Sequence, residues 1–231
     1  MSASVERGPA GDTAAVLDIP DSGRRDDLAA FVARVVQLDA ASVVRLRADG
    51  EQVVAWASTP FEVLATRAVR GGLQPADLTV AAGDLLAALA VVRHAQVDPG
   101  SRADDRWRAE LPPAGGWRVV AELPVAELTA LADEGIALAR AQDTGHGHGG
   151  PGGVPPGDLL DRTVHTAEGN GIRAAIPLRC LFALSGMGYL GAGAAADPVR
   201  VSATEDAGWV RLDTRDGAVV RRRRALLPLV F

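Results

Sequence analysis

A chain of 231 residues with 48% hydrophobic and 23% charged content has the composition of a globular protein, long enough for one large core or two small ones. The formal charge of −5 gives no general attraction to nucleic acid, and a single cysteine excludes an internal disulfide framework. Residues 180–196 form an uncharged run of 17 that contains four glycines, short of the roughly 20 apolar residues that span a membrane.

All 24 basic residues are Arg and Asn170 is the sole Asn, a bias of the kind a GC-rich genome imposes, so Arg counts by themselves carry little chemical weight. The first residues lack the basic start and apolar core of a signal peptide, and the expected location is the cytoplasm.

Residues 1–18 are small and polar, with Gly and Pro, and are expected to be an unstructured tail. A helix is predicted from Asp21, with Asp26 and Asp27 near its positive end and Leu28, Phe31, Val32, Val35 and Leu38 on one face. Residues 42–58, SVVRLRADGEQVVAWAS, read as a hairpin closed by a type I′ turn at Asp49-Gly50. That loop sets Leu46 opposite Val53 and Val44 opposite Ala55 on an apolar face, with Arg45, Arg47, Gln52 and Trp56 on the wetter one.

Residues 61–70 supply a third strand of this meander. A strand at 78–80 leads into a helix with Leu85, Leu86, Leu89 and Val92 inward, followed by a polar loop over 98–105. Residues 107–111 and 117–123 flank PPAGG and predict a second hairpin. Pro124 opens a helix with the stripe Leu128, Leu131, Ala132, Ile136, Ala139.

The segment 144–157, TGHGHGGPGGVPPG, cannot build a core. It sets the expected division: a tail at 1–18, an N-terminal lobe at 19–142, a linker at 143–158 and a C-terminal lobe at 159–231. Beyond it come strands at 163–167 and 172–176, an apolar helix at 177–190, and a meander at 199–204, 209–214 and 218–223; the final LLPLVF is expected to fold back on the core. The fold class is α+β: two antiparallel β-meander lobes with packed helices. The likeness of VRLRADGEQVV (44–54) to VRLDTRDGAVV (210–220) raises an internal duplication.

No motif assembles a reactive centre. GMGYLG at 186–191 matches G-x-G-x-x-G, with Glu205 downstream, but the helix it should open must stop before Pro198 and too little chain remains for a nucleotide-binding sheet. His146 and His148 lack further ligands in fixed positions. Cys180 beside Arg179, with His165 as a base, would make a thiolate nucleophile, yet LRCLFAL is the setting of a buried, inert thiol. No cofactor or metal is expected.

The remaining feature is basic. If Asp216-Gly217 closes a hairpin, Arg211 faces Arg222 or Arg221, and like charges directly opposite call for an anion. Arg211, Arg221, Arg222, Arg223 and Arg224 are therefore the candidate partner-binding residues. Asp213, Asp216 and Glu205 could supply the anion, as could a phosphate or an acidic protein surface. Arg106-Trp107-Arg108 and Trp117-Arg118 place Arg beside Trp, which permits base stacking.

On GGWRVVAELPVAEL (115–128), PLRCLFALSGMGYL (177–190) and GWVRLDTRDGAVVRRR (208–223), the chain resembles a group of short actinobacterial proteins without assigned chemistry. A helix followed by a three-stranded meander, with DLTVAAGDLLAAL (77–89), is similar to the half-domain unit of sliding DNA clamps. That resemblance implies DNA held by basic helices; the predicted helices offer Arg34, Arg93, Arg140 and Arg179. The leading expectation is a non-catalytic interaction or regulatory protein that meets an unidentified protein partner or anionic ligand through the Arg-rich hairpin. A nucleic-acid-associated protein is the alternative, and a nucleotide-binding enzyme the third.

Overall fold

The structure is a computed structural model that describes residues 14–91, 94–146, 154–191, 197–205 and 208–223. In chain order the elements are β1 (Val16–Asp18), α1 (Ser22–Leu38), β2 (Val43–Asp49), β3 (Gln52–Ser58), β4 (Leu64–Arg70), β5 (Gly72–Gln74), β6 (Asp77–Ala81), α2 (Ala82–Val91), β7 (Gln96–Val97) and β8 (Arg118–Leu123). There follow α3 (Val125–His146), α4 (Gly157–Asp161), β9 (Thr163–Gly169), β10 (Ile172–Pro177), α5 (Leu178–Gly186), β11 (Val199–Ala203), β12 (Trp209–Thr214) and β13 (Gly217–Arg222).

Eight strands make one antiparallel sheet in the order β6-β2-β3-β4-β13-β12-β11-β8. Each half holds a meander beside a packed helix, α1 with β2-β3-β4 and α5 with β11-β12-β13. Each is flanked by a strand that runs into a second helix, β6 into α2 and β8 into α3. The halves join where β4 pairs with β13, Val219 lying opposite Ala65. The α+β class and the duplicated organisation are as expected, but the two Asp-Gly hairpins are not equivalent: one joins the first two strands of its meander, the other the last two.

The apolar stripes do what their periodicity demands. Leu28, Phe31, Val32 and Val35 of α1, Leu85 and Leu89 of α2, and Leu128 and Ala132 of α3 are buried in one core with Val44, Leu46, Val53 and Ala55. Asp21 caps α1, its Oδ1 accepting from the Arg24 amide at 2.8 Å.

Several expectations are corrected. Residues 16–18, assigned to the tail, form the central strand of a small sheet with β5 and β7, and Leu17 is fully buried. In the first hairpin Leu46 faces Ala55 and Ala48 faces Val53, so the loop is Gly50-Glu51, with Gly50 at φ +58°. That two-residue slip keeps every side chain on its expected face. The predicted hairpin around PPAGG does not form: β8 pairs with β11, and residues 107–117 belong to no strand and bend at 114–116. β8 and α3 precede the Gly/Pro segment yet belong with elements after it, since the Leu178 side chain fills the notch that Gly135 leaves in α3. Of that segment, residues 147–153 lie outside the described residues, as do residues 1–13, Val92, Arg93, Arg224 and LLPLVF.

Candidate partner-binding face

The helices cover one face of the sheet. On the other, strand alternation turns out Arg45 of β2, Val54 and Trp56 of β3, Leu64 of β4, Val220 and Arg222 of β13, and Trp209 and Arg211 of β12. Trp56, Leu64, Trp209 and Val220 form a second buried apolar cluster, separate from the main core. They are covered by residues 107–117, a strap of chain that lays Trp107, Ala109, Leu111 and Trp117 against them. The Arg45 guanidinium, held by Asp77 at 2.7 and 2.8 Å, sits 5.8 Å from the centre of the Trp107 ring.

Beside the first residues of the strap opens a groove of about 490 Å³, lined by Leu38, Val43, Thr59, Pro60, Arg106 and Arg108 among others. Arg108 is exposed, and among the described residues its guanidinium makes one long contact, 3.4 Å to the Trp107 carbonyl.

The candidate arginines are divided between the two faces. Arg211 lies opposite Val220, not opposite an arginine, because the β12–β13 loop is Arg215-Asp216. The like-charge ladder that called for an anion is therefore absent. Arg211 Nε instead donates to Asp213 Oδ1 at 2.7 Å. Arg222 pairs with Glu110 of the strap, both well exposed. Arg223 donates to the Arg173 carbonyl at 3.1 Å. Arg221 points to the helix side and reaches Asp161 Oδ1 at 2.7 Å; Arg224 lies outside the described residues.

Asp161 anchors an ionic network around the buried Arg179. The same Oδ1 accepts from Arg179 Nε at 2.9 Å and contacts its second nitrogen at 2.8 Å, while Arg179 also donates to the Phe61 carbonyl and to Glu62 Oε2. Arg179 is 2% exposed, so α5 is tied to the β3–β4 turn through a desolvated guanidinium whose donors are met.

The catalytic candidates do not converge. Cys180 is fully buried, and that burial pushes its thiol up to about 12 despite the nearby Arg221 and Arg179. His165 turns its Nδ1 to Glu127 Oε1 at 3.2 Å. Gly186 ends α5 rather than preceding a helix, and the strands before it are antiparallel, so the glycine run cannot seat a pyrophosphate as a dinucleotide fold does. The side chains of His146 and His148 lie outside the described residues, and among those described no cluster of His, Cys, Asp or Glu is placed to hold a metal.

Sequence reasoning missed Trp209, Leu64 and Val220 as a surface, and it assigned Trp56 to a wetter face. The available signal was a large aromatic at an outward strand position.

Residues 12–109 match the family model of a domain of unknown function (DUF8010), and residues 112–226 match that of another (DUF8185). The two matches meet inside the strap. Three bacterial clamps are similar in fold. DNA polymerase III β from Caulobacter crescentus aligns with a TM-score of 0.55 at 14% identity, over 90% of this chain and 64% of that one. The fold is sliding-clamp-like. The DNA polymerase sliding clamp of Pseudomonas aeruginosa aligns at TM-score 0.52 and 14% identity, over 88% of this chain and 64% of that one. The Thermotoga maritima DNA polymerase III β subunit gives 0.52 and 13%, over 93% and 66%. This chain thus spans a little under two thirds of the first two clamps, and at such identity the likeness extends to fold alone. No curated protein matches it in sequence.

Proposed function

We propose that this protein is a non-catalytic interaction protein of the cytoplasm, whose contact surface is the outer sheet face where Arg211 and Arg222 border the Trp56–Trp209 cluster. The carrying observation is that second apolar cluster, built on the face opposite the helix-packed core and roofed by a segment without secondary structure. Aromatic anchors bordered by arginine are the usual composition of a protein-binding hot spot. The division into two units falls within the strap, because β8 and α3 pack with β11 and α5.

A protein partner fits better than DNA. The exposed charged positions of α1, α2 and α3 are Arg24, Arg34 and Arg140 against Asp26, Asp84, Glu127, Asp133 and Glu134, a net acidic surface that phosphates would avoid. Among the described residues no helix is long and apolar enough to cross a membrane.

The test is capture from native lysate with and without nuclease, using the parent chain and an Arg211→Ala/Arg222→Ala chain. A protein retained through nuclease treatment and lost from the variant, with the variant's unfolding curve unchanged, is the expected result. Retention that vanishes with nuclease and falls steeply with salt would instead establish nucleic acid as the partner.

A further inference from the structure

We propose that residues 107–117 act as a built-in occupant of the outer-face site: the strap shuts it in the free chain, and the partner enters as an extended segment of the same pattern, aromatic-x-small-x-aliphatic with an acid between. This rests on the reading of that face as a contact surface, and adds what the partner segment looks like and how access is controlled.

The strap is seated as a bound peptide would be. Trp107, Ala109 and Leu111 alternate downward onto Trp56, Leu64, Trp209 and Val220, while Arg108 and Glu110 point to solvent, Glu110 meeting Arg222. It is also weakly fastened. No backbone group of residues 108–117 pairs with another backbone group among the described residues, and Pro112 and Pro113 have no N–H to offer. The indole hydrogen bonds stay within the strap, Trp107 Nε1 to the Ala109 carbonyl at 2.6 Å and Trp117 Nε1 to the Pro113 carbonyl at 3.1 Å, so lifting it breaks none of them.

Its single ionic tie to the sheet among the described residues, Glu110 to Arg222, is 60% and 63% exposed and correspondingly weak. The ends are firm: the Ala103 amide donates to the Thr79 carbonyl at 2.7 Å, the Thr79 amide to Asp104 Oδ1 at 2.7 Å, and β8 is laddered to β11. A segment fixed at both ends and loose between them, bent at Gly116 (φ +82°), can lift without unfolding the sheet beneath.

The probe is a labelled synthetic peptide, RWRAELPPAGGWR, the chain's own residues 106–118, titrated into the full chain and into Glu110→Arg and Leu111→Ser variants. Both variants should keep the parent's far-UV circular dichroism, show red-shifted tryptophan emission as Trp56 and Trp209 meet water, and bind the peptide about tenfold more tightly, because apparent affinity scales with the open fraction.

Equal binding by parent and variants, or no binding by folded variants with shifted emission, overturns the proposal. So does unshifted emission in both variants, or dimerisation without peptide uptake. A failed peptide titration with intact Arg211- and Arg222-dependent capture removes the gate alone; the reverse result removes the proposed partner surface.

Discussion

Asp161 shows how one side chain can couple distant elements. Partial burial by itself would raise its pKa, but the charges and hydrogen bonds of Arg179 and Arg221 outweigh this and hold the carboxyl below the ordinary carboxylate value. A depressed acid contributes stability that is complete above its unfolded pKa of about 3.9 and lost as pH falls through the lower folded value. Unfolding free energy should therefore fall in acid below about pH 4, and Asp161→Asn should flatten that limb. At neutral pH the same substitution leaves the buried Arg179 guanidinium with Glu62 but without the Asp161 charge, and should cost about 2 kcal/mol in urea titrations, less than for a fully buried pair because Asp161 is 40% exposed. Cys180, by contrast, should not react with a thiol reagent at pH 8 in the native protein and should react stoichiometrically in denaturant, which its burial and raised pKa both require. The inert thiol was legible from its apolar neighbours. Arg179 as a crosslink was not, because Asp161, Glu62 and Arg221 are scattered in sequence.

At the scale of elements, alternation and turn chemistry carried most of the reading. The β9–β10 hairpin turns at Asn170 and Gly171, both at positive φ (+52° and +75°), as the EGNG sequence implies. Gly169, just before that turn, lies so close to β8 that a Cβ would collide with the Val120 carbonyl oxygen. Gly169→Ala should therefore destabilise the protein by roughly 2 kcal/mol, measured as a lower urea midpoint with unchanged slope. The segment 107–111 misled for a physical reason. Alternating burial reports an extended chain lying on an apolar surface, and a strap over a sheet satisfies it as well as a paired strand does.

For the molecule as a whole, the buried core runs without interruption from α1 and β2 through α5 and β12, and the halves share the β4–β13 seam. Amide protection in β3 of one half and β12 of the other should therefore be lost at the same urea concentration, followed by hydrogen exchange. Two separated transitions would show that the seam does not couple the halves. The duplication was only half visible in the sequence because the repeated parts occur in opposite chain order: helix and meander come first in one half, and the strand-to-helix step comes first in the other. The likeness of the two Asp-Gly hairpins pointed to a repeat but not to its register.

Periodicity and turn residues determined, from sequence alone, an antiparallel α+β chain with helices packed on an apolar sheet face and Cys180 buried among apolar neighbours. What lies on the other face was decided by tertiary structure. Strand order brings Trp56 and Trp209 together across the seam, and contacts between residues so far apart leave no local pattern to read. The Arg215-Asp216 loop set the β12–β13 register that took Arg211 away from its neighbouring arginines, and long-range packing laid the strap across the tryptophans.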